Sequence, residues 1–333
     1  MSQEILSKYY GIQVERAHNE GSLNSFVAGN SIYTIHKVTN MEEQILQELY
    51  MLSEHLRTSG DRYVSSFVPT EDGKYLVTEE EQDYVVLHNQ MLKVSPQKLG
   101  RKLARFHVSG RTVQQRIEKI NRIGQWKQLW EQRVNQLESV YRNVVTQHPS
   151  DEFERLFVES FPYYMGLSEN AIQYLVDTEL DDEPREHDAG TVCHERFHSN
   201  TWGKNVWMHN PFQWVFDHGS RDVAEWVRDL YDKRTQTFHH DLKQFVREYQ
   251  SVTPLSSFSW RLLYSRLVFP LHYFQCIEDY YITTSEQQKH VLSEKLQRIL
   301  QTTHYHERFL TDFYQLCEVP INRLSIPKIN WLS

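Results

Sequence analysis

The stretch 193-CHERFHSNTW-202 decides the fold, because it can be read in two incompatible ways. His194-Glu195-Arg196-Phe197-His198 spells HExxH, the spacing in which two histidines one helical turn apart hold zinc while the glutamate activates the bound water. That chemistry needs a helix. Here the motif is entered through Gly190-Thr191-Val192 and left through Ser199-Asn200-Thr201-Trp202-Gly203, residues that favour extended chain and turns. The extended form of the motif also fails, since Thr201 stands in place of its glycine and Lys204 in place of its third histidine. A zinc hydrolase is therefore a remote alternative.

Upstream of this loop the pattern is strand-like. Apolar alternation over 12–17, 23–28 and 31–38 predicts three strands, with Gly29-Asn30 turning the second into the third. Ile45, Leu49, Leu52 and Leu56 recur at helical spacing, which predicts a helix over 41–56 with Asn40 as its cap. Two more strands are expected at 74–78 and 83–88, after an Asp72-Gly73 turn. Beyond His88 the spacing becomes helical over 96–109, 125–146, 151–164 and 168–176. The acidic stretch 177-DTELDDEPREHDAG-190 lacks the ligand alternation and central glycine of a calcium loop, and reads as a solvated surface loop. After the opening motif, a hairpin of strands 205–209 and 212–217 is expected around Asn210-Pro211. Helices then run to the C-terminus, one over 286–302 begun by a Ser285/Gln288 capping box.

Composition narrows the function classes. With 333 residues, 39% apolar and 13% aromatic, the chain can bury one large core or two smaller ones. A formal net charge of −8 without a basic cluster argues against nucleic acid as a partner. The N-terminus lacks a signal-peptide core and no apolar run reaches bilayer length, so synthesis inside a cell without membrane insertion is expected. Cys193, Cys276 and Cys317 are odd in number and widely spaced, consistent with reduced, buried thiols. The histidine pairs His239-His240 and His304-x-His306 diverge on a helix and read as surface residues.

The whole order resembles the protein-kinase-like fold in its aminoglycoside- and choline-phosphotransferase branch: a sheet with one helix after strand three, a hinge, helices, a His-containing loop, a hairpin and then an acid. The resemblance implies an α+β, two-lobed protein, with a small antiparallel N-lobe over 1–88 and a mainly helical C-lobe over 89–333. It matches Lys37 to the strand-three lysine that holds nucleotide phosphates and Glu48 to its helix partner. His194 then matches the brace of the catalytic loop, Asp217 in 215-VFDHGSRDVAEWVRDL-230 the metal-binding acid, and Asp229 a later structural acid.

The departures lie where chemistry would occur. Arg196 occupies the position of the catalytic aspartate, and an arginine cannot accept a proton at physiological pH. Asn200 falls one residue short of the loop asparagine's place. Between the first two strands, 17-AHNEGS-22 offers one glycine and Glu20 where phosphates need a flexible cover. Among kinase-like proteins the chain closely resembles spore coat proteins of the CotS family, YutH type, a resemblance carried by 68-VPTEDGKYLVTEEEQDYVVL-87, 99-LGRKLARFH-107, the 193–198 loop, 215–230 and the tail 319-VPINRLSIPKINWL-332. It implies a kinase-like protein of lost catalysis that serves as a structural or assembly component of the endospore coat, with other coat proteins as partners. No cofactor is expected, beyond residual ATP and magnesium at Lys37, Glu48 and Asp217. The alternative is an active small-molecule phosphotransferase using ATP, with Glu195 as substitute base. Trp202, Trp207, Trp214 and Trp226 are expected near the loop, where they would fill the nucleotide's place.

Overall fold

The computed structural model describes residues 2–18, 24–92, 98–234 and 237–327. The chain opens with helix α1 (Ser2–Tyr10), an element that apolar alternation does not announce. Strands β1 (Arg16–His18), β2 (Asn24–Ala28) and β3 (Ser31–Lys37) follow as an antiparallel meander, turned at Gly29 with φ of +59°. Helix α2 (Glu43–Thr58) comes next, then β4 (Ser66–Phe67), β5 (Val77–Glu79) and β6 (Gln82–Gln90). Asn40 does not cap α2: its φ is +67°, and Glu42 stands at the cap position. The sheet has six strands in the order β1-β2-β3-β6-β4, with β5 also paired to β6. The extra strand, β4, is two residues long, too short to carry an alternation.

Helices α3 (Leu99–Arg111), α4 (Trp126–Gln147) and α5 (Glu152–Asp181) come before β7 (Thr191–His194) and β8 (Trp214–Asp217). The two helices expected over 151–164 and 168–176 are a single one. Phe153, Phe157, Phe161, Tyr164, Leu167, Ala171 and Leu175 keep a spacing of three or four straight through Pro162, so burial of that stripe outweighs the break proline favours. The expected 205–217 hairpin does not form either; β8 pairs with β7, in antiparallel register from Thr191 opposite Asp217 to His194 opposite Trp214. Helices α6 (Ser220–Lys233), α7 (His239–Gln250), α8 (Ser257–Val268), α9 (Leu271–Ile282), α10 (Glu286–Gln301) and α11 (Thr303–Leu316) complete the chain. Ser285 caps α10 by accepting from the Gln288 N–H, as its spacing predicts. Among the described residues no helix is long and apolar enough to cross a membrane.

The chain divides into two compact units. The first comprises Met1–Arg122, Ala189–Asp222 and Arg247–Thr253; the second Ile123–Asp188, Val223–Val246 and Pro254–Ser333. In the first, strand alternation separates two cores. Phe26, Ile35, Val77 and Val86 pack with Ile5, Leu6 and Tyr10 of α1, while Val27 and Ile32 pack against Val206 and Met208. In the second, α5 packs against α4, α8 and α10. Stacked rings tie it to α9, Phe153 on Tyr280 at 3.7 Å and Tyr164 on Tyr273 at 3.8 Å.

The acidic stretch 177–190 is only in part a solvated loop: Glu183, Arg185 and Glu186 are exposed, but the stretch is anchored at both ends. Its first five residues belong to α5, and two of its acids are held by α8 and the residue that caps it. Buried Asp188 accepts from Ser256 at 2.7 Å and from Ser259, while Asp182 accepts from Ser257 at 2.8 Å and Arg261 at 3.2 Å. A run of like charge does not reveal such donors, because they lie about 70 residues downstream.

Candidate functional site

The loop after β7 is held from beneath by one carboxylate. Asp222, in the first turn of α6 and fully buried, accepts from the His194 backbone N–H at 2.9 Å and from His194 Nδ1 at 2.7 Å. The proton's place follows from the other ring nitrogen: Trp202 Nε1 donates to His194 Nε2 at 2.9 Å, so Nδ1 carries the hydrogen. His107 of α3 reaches the same Asp222 oxygen through Nε2 at 3.2 Å, and its Nδ1 accepts from the Tyr249 hydroxyl at 2.7 Å. Burial alone would raise the Asp222 carboxyl, but His194 and His107 outweigh it and hold it well below the usual carboxylate range. The pKa of His107 is lowered too, but by burial, which pushes it down more than Asp222 raises it. The bracing acid is thus Asp222 and not Asp229, which pairs with Lys233 at 2.7 Å in a half-exposed i,i+4 contact.

Asp217 ends β8 with its carboxylate fully buried. One oxygen accepts from the His218 N–H at 2.8 Å; the other meets Arg221 Nη1 at 2.9 Å. The same guanidinium donates to the carbonyls of His194 at 3.0 Å and Glu195 at 3.1 Å, and comes within 3.5 Å of the Glu195 carboxylate. Three loop groups and the buried acid therefore share one fixed cation. Arg221 stands four residues after Asp217 in 217-DHGSRD-222, across the turn from β8 into α6 and not within one helix, so the spacing alone does not announce this pair. Arg196 and Asn200 are both exposed, and the Arg196 carbonyl accepts from Thr201.

Lys37 and Glu48 are not brought together as an ion pair. On β3 the side chains of Tyr33 and Ile35 join the α1 core while Ile32 joins the opposite one, so a period of two places Lys37 on the α1 side, where it is exposed. His36 is the β3 residue on the other face. It stacks on Phe212 at 4.3 Å and bonds Asn210 at 3.2 Å, and burial pushes its pKa down to about 4. Glu48 points elsewhere: its carboxylate accepts the backbone N–H groups of Glu118, Lys119 and Ile120 at 2.8–3.0 Å. It thereby fixes the strand edge that continues through Phe216, whose N–H donates to the Ile120 carbonyl at 2.9 Å.

The segment 202–212 lies along the His36 face. Gly203 starts it with φ of +96°, in a turn so tight that a Cβ would sit 2.2 Å from the Val206 carbonyl oxygen. His209 then joins the sheet side through bonds to the Tyr63 carbonyl at 2.8 Å and Asp61 at 2.9 Å, with Trp202 on its ring at 4.1 Å. Lys102 sits over Trp207 at 3.7 Å and over Tyr63 at 4.3 Å, and burial lowers its pKa to about 8. Trp202 and Trp207 are thus placed beside the loop, with Trp214 against Phe106 at 5.8 Å, whereas Trp226 stacks on Phe245 in the second unit.

The HExxH residues occupy the end of β7 and a bend, not a helix. Both His194 ring nitrogens are spent on Asp222 and Trp202, and His198 Nδ1 accepts from the Asn200 N–H at 3.2 Å. Among the described residues one group of metal-capable donors converges, His107, Cys193 and Asp222. Two of these bind each other, and burial raises the Cys193 thiol, which keeps it protonated. His306, expected at the surface, instead turns its ring to His272 at 4.9 Å. The cover segment 17–22 and the C-terminal tail lie partly outside the described residues.

A small antiparallel sheet with one interposed helix, a braced loop after it and an acid closing a β7–β8 ladder define the protein-kinase-like fold. Solved structures agree: an aminoglycoside phosphotransferase from Alicyclobacillus acidocaldarius matches 93% of this chain and 95% of its own, with a TM-score of 0.67 at 15% identity. A microcompartment-associated aminopropanol kinase matches 93% and 97%, with a TM-score of 0.60 at 17% identity. The chain belongs to the family described as "Spore coat putative kinase YutH", which matches residues 3–313. It is 41% identical over 340 residues to the endospore coat-associated protein YutH of Bacillus subtilis (strain 168), covering 100% of this chain and 98% of that relative.

Proposed function

We infer that this protein is a kinase-like component of the endospore coat that works by binding and has lost phosphoryl transfer. The observation that carries this reading is Arg221 on Asp217 at 2.9 Å. Transfer on this fold relies on magnesium held by such an acid and on a loop carboxylate that accepts the hydroxyl proton. Here one oxygen of that acid accepts the His218 N–H and the other meets a guanidinium that stays charged, and Arg196 takes the place of the proton acceptor. A divalent ion at Asp217 would have to displace a buried ion pair whose disruption costs about 3–5 kcal/mol. The nucleotide side supports the same view. Neutral His36 replaces a lysine on the cleft-facing side of β3, and Val206 and Met208 pack against Val27 and Ile32. The coat location is supported by the family and by the named role of the Bacillus subtilis relative.

Thermal denaturation with about 1 mM ATP and excess magnesium is expected to leave the melting temperature unchanged within about 1 °C, whereas a nucleotide present at 100 times its Kd would add about 2.7 kcal/mol of stability. A rise of several degrees would overturn the reading. In spores, exposed Glu195 changed to Gln should leave the amount of protein in the coat fraction unaltered. Loss from the coat, with the purified variant folded, would favour the active phosphotransferase in which Glu195 is the base.

A further inference from the structure

A second feature of the first unit lies apart from Asp217 and Arg221. Between α2, the sheet and the β4–β5 connection the surface opens into a cavity of about 620 Å³, the size of a ligand or peptide pocket. Val38, Phe67 and Val85 form its floor, and Leu46 and Tyr50 of α2 one wall. The other wall is Tyr75 and Leu76. These large apolar side chains are not folded away: Tyr50 is 36% exposed, Tyr75 41% and Leu76 43%. Three exposed apolar groups around one concavity mark an interaction site far better than the same groups scattered. The wall is also ordered in advance. Tyr50 and Tyr75 hold each other at 5.1 Å between rings, and Tyr50 packs edge-on against Phe67 at 5.6 Å.

Charge around this groove says what would fill it. Glu43 and Asp83 line it, Asp72 directly precedes its lining residues Gly73 and Lys74, and Glu80 and Glu81 form the β5–β6 turn just before Asp83. None of these five forms an ion pair among the described residues, and the groove lining contains a single cation, Lys74. The turn is unusual in itself. Glu80 and Glu81 take φ of +48° and +60°, a conformation that Asn-Gly adopts with less strain in a two-residue hairpin. The chain accepts that backbone cost and carries two carboxylates within three residues of groove-lining Asp83.

We propose that this groove docks a segment of a partner protein that inserts an aromatic or aliphatic anchor and carries Lys or Arg on either side of it. The anchor buries apolar area against Phe67, Tyr75 and Leu76, and the flanking cations meet the acidic rim, which sets orientation and steers the encounter. This assignment shares no residue with the nucleotide side of the fold and does not depend on whether that side is inert.

The test is a phage library of random 12-residue peptides panned on the full-length protein. Enriched peptides should carry an apolar anchor with net positive charge. Synthetic copies should bind a Tyr75→Ser, Leu76→Asp double variant at least about tenfold more weakly than the wild type, a loss of about 1.4 kcal/mol. A Glu80→Lys, Glu81→Lys variant, altered only at the turn, should weaken binding similarly and flatten its salt dependence. Failure to enrich, peptides that are neutral or acidic, or binding indifferent to both variants would overturn the proposal. Sedimentation showing a dimer that Leu76→Asp dissolves would overturn it in favour of a second copy of the chain as occupant.

Discussion

Changing Asp222 to alanine is expected to destabilise the protein by about 3–5 kcal/mol, the range for removing one member of a buried charged network. Three donors converge on this carboxylate, the His194 amide, His194 Nδ1 and His107 Nε2, and none can reach water once it is gone. Asp222→Asn keeps an acceptor of the same shape and should cost distinctly less. Urea unfolding of the two variants checks this, and equal, small losses would show that Asp222 is no keystone. The same network fixes a pH dependence. The folded Asp222 carboxyl lies below its unfolded value, so its contribution is present above about pH 4 and is lost as pH falls through the folded value. His107, also depressed on folding, adds loss of the same sign, beginning as pH drops through the unfolded histidine value of about 6.5. Stability should therefore decline from neutral pH downward, and Asp222→Ala should flatten the acid limb of that decline.

Gly110→Ala is the second large effect. Alanine is normally worth up to about 1 kcal/mol over glycine inside a helix. At Gly110, however, a Cβ would lie 2.4 Å from Thr191 Oγ1 and 2.7 Å from the Val192 backbone nitrogen, because α3 and β7 touch there without an intervening side chain. Thr191 Oγ1 also donates to the His107 carbonyl at 2.7 Å, so it has little freedom to yield. A net loss of about 1–3 kcal/mol is expected, in the range of overpacked interiors. Gly166, in α5 with nothing within 4 Å of its would-be Cβ, is the control: Gly166→Ala should stabilise by about 0.5–1 kcal/mol. Chemical denaturation of the pair separates sterics from propensity. Two changes of the same sign and size would refute the close approach.

What sequence reading recovers, and what it misses, follows from the range of each signal. The Gly29-Asn30 turn, the α2 stripe and the Ser285 cap are local and stand where expected. The kinase-like order of elements is legible because it adds many local signals along nearly the whole chain. Which face of β3 looks toward segment 202–212 is another matter. Alternation groups Tyr33 and Ile35 with Lys37, yet nothing local says that α1 covers that side, or that His36 is the residue turned toward Asn210 and Phe212. Asp222 and Asp229 both lie in 215–230, and only the distance to His194 tells them apart. Segment 205–209 alternates like a strand but docks through Val64 and His209 rather than pairing with 212–217. Arg221 escapes a sequence reading, because Asp217 ends a strand and the turn before α6 sets the arginine's reach to it and to two loop carbonyls.

The guanidinium beside Asp217 has one further consequence. A counter-ion carried on the same chain cannot be diluted, chelated or exchanged, so the charge at the end of β8 is compensated from the moment the polypeptide folds. On the reading proposed above, the geometry of this loop owes nothing to the supply of divalent ions around it, and a chelator is expected to leave the melting curve where it was. For the coat component proposed above, such a pair exchanges a means of control for permanence.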